Sequence, residues 1–163
     1  MSDETTMRMR NMLRDVMMET LEEFAFMFAE AGEYATEPAD SSVEYLASSV
    51  VFRGADQCGE VLVALPVSMC AEMAANVMGM DAEDVPETAV EDAIREWANI
   101  VTGSLTAKWF GVNTVFSLDP PSALRGALAE VTVLEGGAEP VVLSVDDQQV
   151  VGCLRMASEG DAR

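Results

Sequence analysis

Residues 86–110 constrain the fold of this 163-residue chain more than any other stretch. Pro86 suits the first turn of a helix, no proline follows within the run, and Gly111 stands just past its end. Ile94, Ala98, Val101 and Leu105 recur at helical spacing. At about 100° per residue, with Asp92 set at zero, these four cluster at ~180–240°. Glu96 (~40°), Asn99 (~−20°) and Gly103 (~20°) share the Asp92 side. The run therefore reads as one long helix that buries one face and turns a narrow polar stripe outward.

That stripe is chemically unusual. Asn is a poor helix former, and Gly costs about 0.8–1.0 kcal/mol relative to Ala. A face that is only wet favours Glu, Lys, Gln or Ala. Asp92 and Glu96 alone would be ordinary solvated charges. Asn99 and Gly103 are not explained that way, whereas a bare Gly one turn beyond a carboxamide lets a second backbone approach. The stripe has the look of a docking surface.

The rest of the chain supplies partners for the helix. Residues 7–31 carry Leu13, Val16, Met17, Leu21, Phe24 and Phe28 at three- and four-residue spacing, which predicts a helix with Gly32 as its stop. The polar, Pro38-containing segment 33–42 reads as a connection. Residues 43–54 and 58–66 read as strands joined by a short turn, and 67–79 as a short helix ending near Gly79. Further strands are expected at 113–118, 130–135, 139–145 and 149–156, with turns at Gly136–Gly137 and at residues 146–148. A long connection, 119–127, with room for a helical turn, separates the first two. Segregated helices and strands favour an α+β fold, an antiparallel-rich mixed β-sheet with long helices packed against it. One domain over 1–163 is expected, with an ordered core at roughly 5–156 and a disordered C-terminal tail.

Composition excludes more than it suggests. Twenty-nine acidic residues against nine basic ones give a net charge of −20, and Lys108 is the only lysine. Such a surface repels phosphate backbones and anionic lipid, so neither nucleic acid nor membrane is an expected partner. No apolar run reaches the ~18–20 residues of a membrane span, and the N-terminus lacks a signal-peptide pattern. Cys58, Cys70 and Cys153 are scattered and odd in number, which fits reduced, buried thiols in a cytoplasmic protein. There is no histidine, so Ser-His-Asp and Cys-His nucleophiles are absent. No phosphate-binding glycine loop occurs either. Trp97 and Trp109 read as core or rim. Most of the twelve methionines read as core, although some could line an adaptable groove.

The segment D-A-I-R-E-W-A-N-I-V-T-G resembles the D-x-x-x-E-x-x-N-x-x-x-G signature of the CheC/CheX chemotaxis phosphatases, which dephosphorylate CheY. Asp92, Glu96, Asn99 and Gly103 occupy its four positions. A second copy is absent, since Glu72 and Asn76 are one residue too far apart, so the single motif is similar to CheX rather than CheC. The resemblance implies an aspartyl-phosphate phosphatase whose partner is a phosphorylated CheY-like response regulator. Glu96 and Asn99 would be catalytic: Asn99 would orient the attacking water, and Glu96 would pair with the regulator's lysine. Asp92 and Gly103 would support partner binding. The chain itself would bind no cofactor or metal, because the partner would bring Mg²⁺. A homodimer joined through its sheets is implied as well, and the bare, apolar C-terminal hairpin over 139–156 is the expected edge. The rival readings are a catalytically inactive adaptor for a regulator or flagellar-switch component, and an unrelated acidic scaffold.

Overall fold

The structure, a computed structural model, describes residues 2–33, 42–132 and 139–157. Its first helix, α1 (Asp3–Ala25), starts where the Ser2 hydroxyl accepts the Thr5 N–H at 3.2 Å, with Asp3 and Glu4 in the first turn. Met9, Leu13, Val16, Met17 and Leu21 bury one face. The helix ends at Ala25, earlier than the periodicity predicts. Phe26 turns left-handed at φ 56°, and the N–H groups of Phe26 and Met27 return to the Glu22 and Leu21 carbonyls. Phe28, expected on the apolar stripe, is 73% exposed. Gly32 is not the stop. It lies against the sheet, where a Cβ would meet the Leu143 carbonyl carbon at 3.0 Å.

The body of the sheet is β2 (Tyr45–Arg53), β3 (Cys58–Pro66), β6 (Val141–Val145) and β7 (Gln148–Met156). Three short strands complete it: β1 (Glu30–Ala31), β4 (Ser117–Leu118) and β5 (Leu124–Gly126). The order is β1-β6-β7-β3-β2-β4, with β5 also on β2. Every pairing among the described residues is antiparallel, within the α+β arrangement expected. Alternation in β2 sends Leu46, Val50 and Phe52 to one face and Tyr45 and Ala47 to the other. Asp146 and Asp147, both at positive φ, form the two-residue turn between β6 and β7.

Helices α1, α2 (Val67–Met78) and α3 (Glu87–Phe110) cover one face of this sheet. The main core lies between, around Leu13, Met17, Val63, Ile94 and Trp97. Close approach here depends on glycine. A Cβ on Gly59 would lie 2.4 Å from the Phe52 ring and 2.7 Å from the Arg155 carbonyl oxygen. A smaller core, with Tyr45, Leu62, Val151 and Cys153, forms on the opposite face under α4 (Leu128–Val131).

Several sequence expectations change. Of 113–118 only Ser117–Leu118 is strand; Val112 and Val115 are highly exposed, and Phe116 packs into an aromatic group instead. Residues 124–126, read as part of a connection, pair with β2. Glu130 and Val131 are helical rather than extended, because Glu130 Oε2 accepts the Ala127 N–H at 3.2 Å. Residues 133–135, the Gly136–Gly137 turn, most of the 33–42 connection and tail residues 158–163 lie outside the described residues. Nor is the C-terminal hairpin bare. β7 is interior, and residues 30–32 pair along the outer edge of β6. The outer edge of β2 is occupied by 117–126, through β4, β5 and the Asp119 and Ser122 N–H groups.

Candidate functional site

Helix α3 is held to the scaffold along its length, which fixes its rotation. Near its start, Glu87 pairs with Arg125 of β5, which also reaches Glu44 Oε1 at 2.9 Å. Both carboxylates hold the Arg125 guanidinium above its ordinary pKa. At its middle, the fully buried Trp97 donates from Nε1 to Thr20 Oγ1 of α1 at 2.9 Å. At its end, the Phe110 ring lies 4.8 Å from Phe116 and 6.3 Å from Phe52. Lys108 adds an ion pair to Glu19. Thr102 and Thr106, buried in the same helix, return their hydroxyls to the Ala98 and Thr102 carbonyls.

With the rotation fixed, burial follows the helical spacing. Ile94, Ala98, Val101 and Leu105 are buried. Asp92 and Glu96 are exposed, and Asn99 and Gly103 are partly buried. The four residues share the outward face, as their angles require. Among the described residues, neither Glu96 nor Asn99 makes a side-chain hydrogen bond or ion pair. Asp92 does: it accepts from Arg95 Nη1 at 3.4 Å, while Arg95 Nη2 reaches Glu91 at 3.3 Å. Arg95, one turn before Asn99, was not singled out by the sequence pattern; its signal was the acid–base spacing Glu91/Arg95. Gly103 has open space where a Cβ would stand, with nothing within 4 Å. No neighbour inside the fold requires glycine there.

The near-copy of the motif in α2 has another use. Asn76 Nδ2 donates to the Ala25 carbonyl oxygen at 2.8 Å and closes the C-terminal end of α1. Trp97 is core, and Trp109 is a partly buried rim residue with the Arg8 guanidinium 6.0 Å from its ring centroid. Met9, Met17, Met69 and Met73 are core, whereas Met78 and Met80 are exposed where α2 ends. The three cysteines are free. Among the described residues no cluster of three metal-ligating side chains occurs, and no helix is long and apolar enough to cross a membrane.

Among the described residues, the site thus offers a carboxylate and a carboxamide without side-chain partners, the latter able both to accept and to donate. They stand on the outward face of a helix, with Glu96 at the rim of an open groove, so any reacting group has to be brought to them. A family model, chemotaxis phosphatase CheX, matches residues 46–146, well over half of the chain, and takes in all of α3. The chain belongs to the CheX family. Solved CheX structures share its fold. A CheX from Desulfovibrio desulfuricans has a TM-score of 0.70 at 13% identity, covering 92% of this chain and 99% of that one. A CheX from Vibrio vulnificus has a TM-score of 0.69 at 14% identity, with the same coverage of both chains. The CheX–CheY–BeF3–Mg²⁺ complex from Borrelia burgdorferi has a TM-score of 0.64 at 13% identity, covering 91% and 97%. No curated protein matches the chain.

Proposed function

We propose that this CheX-family protein accelerates hydrolysis of the aspartyl phosphate on a CheY-like response regulator. One observation carries the reading. Glu96 and Asn99 stand together on the outward face of a fixed helix, each without a side-chain partner among the described residues. An aspartyl phosphate is an acyl phosphate, already prone to in-line attack by water, so catalysis needs positioning and electrostatics rather than a covalent nucleophile. Asn99 would hold the water against phosphorus. The water oxygen bonds to phosphorus as the bond from phosphorus to the aspartyl oxygen breaks. Inorganic phosphate leaves carrying the water oxygen and its protons, less any released to solvent, and the carboxylate is restored. Glu96 would pair with the regulator's lysine and fix the approach. Asp92 would add negative charge to the docking face, and Gly103 would leave clearance for the regulator's backbone.

The Borrelia relative's complex with CheY, BeF3 and Mg²⁺ supports a partner of this kind. In this reading the regulator brings the Mg²⁺, both proteins are cytoplasmic, and the phosphatase acts as a homodimer. An adaptor that binds without hydrolysis would have no need of a carboxamide kept free of partners. Decay of phosphorylated receiver domain, followed with and without this protein, tests the reading. Substoichiometric protein should speed the decay; an unchanged rate on equimolar addition would overturn it. Calorimetry of this protein alone with Mg²⁺ should give no saturable, stoichiometric site.

A further inference from the structure

Beside the candidate site, α1, α2 and α3 enclose a groove of about 340 Å³. Phe24 of α1 and Val77 and Met78 of α2 supply an apolar wall, Ala93 of α3 a small buried flank, and Asp92 and Glu96 an acidic rim. Val77 is 46% exposed and Met78 48% exposed, in the last turn of α2. A solvated helix end favours Lys, Glu or Gln at such positions, so two exposed apolar residues there call for a covering partner. The groove is also held in shape. Asn76, beside Val77, is bonded to the last carbonyl of α1, and Trp97, beside Glu96, is bonded to Thr20 of the same helix.

Glu96 belongs to both the candidate catalytic pair and the rim, so a protein that engages Glu96 lies over the groove as well. The rim selects by charge. Glu96, without a partner among the described residues, beside an apolar wall complements an apolar side chain flanked by a cation, while Asp92 shares its charge with Arg95. We propose that the groove seats an apolar side chain of the receiver domain next to the lysine that pairs with Glu96. It thereby sets which receiver is accepted, through affinity rather than rate. This rests on the reading of the preceding subsection. A thioether such as Met78 adapts to partners of differing shape, which suits a surface that chooses among related receivers.

The test compares the parent with the double variant Val77→Lys/Met78→Lys and with Ala93→Leu, which narrows the groove from the α3 side. Val115→Lys, on the exposed segment past the end of α3, is the control. Binding to a CheY-type receiver saturated with BeF3⁻ and Mg²⁺ is read by fluorescence anisotropy, and dephosphorylation by steady-state kinetics. Both groove variants should weaken binding by about tenfold or more and raise KM with kcat retained, while the control matches the parent. Thermal melts identify a variant that has lost its fold; Val77→Lys/Met78→Lys, at exposed positions, then decides, since Leu at the buried Ala93 can overpack the core. Parent-like affinity in folded groove variants would overturn the proposal. A parent that binds the receiver without speeding decay would overturn the hydrolytic reading, with affinity alone deciding the groove. A parent that binds no receiver would overturn both.

Discussion

Trp97 Nε1 and Thr20 Oγ1 lie 2.9 Å apart in the core, joining α3 to α1 directly beneath the outward-facing Glu96–Asn99 stripe. The indole has one donor and both side chains are buried, so this hydroxyl is its means of satisfaction. Thr20 in turn donates to the Val16 carbonyl oxygen at 2.7 Å. The bond therefore sets both the rotation of α3 and its distance from α1.

Thr20→Val keeps the shape and removes the acceptor. Stability should fall by about 1–3 kcal/mol, the cost of a buried unsatisfied donor. Thr20→Ser should recover most of the loss. Urea midpoints for the three proteins check this, and a Thr20→Val protein as stable as the parent would contradict it.

Gly103 separates stability from function. With nothing within 4 Å of its missing Cβ, Gly103→Ala should stabilise the protein by about 0.8–1.0 kcal/mol through helix propensity alone. Activity should move the other way, with a raised KM for the phosphorylated receiver. A variant that is both more stable and fully active would show that Gly103 supplies no clearance.

The thiols give the alkaline limit. Burial pushes Cys70 up from 9.0 to about 12 and Cys153 to about 11. Burial also raises Tyr45 above its usual 10.0. These groups stay protonated in the fold while the unfolded chain ionises them first. Their contribution is thus fully present below pH of about 9 and is lost as pH rises through about 11–12. Urea midpoints should fall across that window. A thiol reagent on the native protein at neutral pH should label the partly exposed Cys58 and spare Cys70 and Cys153. Rapid native labelling of all three would contradict the burial argument.

How much of this was legible in the sequence depended on whether the signal was local. The face of α3 was, because Ile94, Ala98, Val101 and Leu105 are spaced by the geometry of the helix itself. So was the β6–β7 turn, since Asp146 and Asp147 tolerate positive φ better than most residues. The end of α1 was not. Its closure uses Asn76, far along the chain, and the residues after it serve strand β1 rather than the helix. Residues 113–116, with apolar Val115, read as strand because composition alone carries no burial. Short β5 was missed because its only reason to be extended is the open edge of β2. In the site, residue types and angles were legible. That Arg95 pairs with Asp92 while Glu96 has no partner among the described residues required the fold.

Assembly is the least local property. With β6 covered by residues 30–32, a homodimer joined at sheet edges has to use another edge, and 117–126 with its exposed Leu118 and Leu124 is the apolar one. Two chains at −20 repel, so association should strengthen as salt screens them. Light scattering at high protein concentration and raised ionic strength should give twice the 17.5 kDa chain mass, and Leu124→Lys should reduce it. A monomer mass at every salt concentration would contradict the dimer.

The central claim is that Asn99 positions water for a phosphate held by another protein. Asn99→Ala should leave the fold intact, since Ala is the better helix former. The rate of receiver dephosphorylation should drop by a factor on the order of 10²–10³, the scale of losing an oriented catalytic hydrogen-bonding group. Binding to the BeF3⁻-saturated receiver should persist in Asn99→Ala and weaken in Glu96→Ala. The deciding measurement is the single-turnover decay of the receiver's aspartyl phosphate with saturating Asn99→Ala protein. Decay near the receiver's own spontaneous rate is the predicted result, and decay as fast as with the parent would contradict the account.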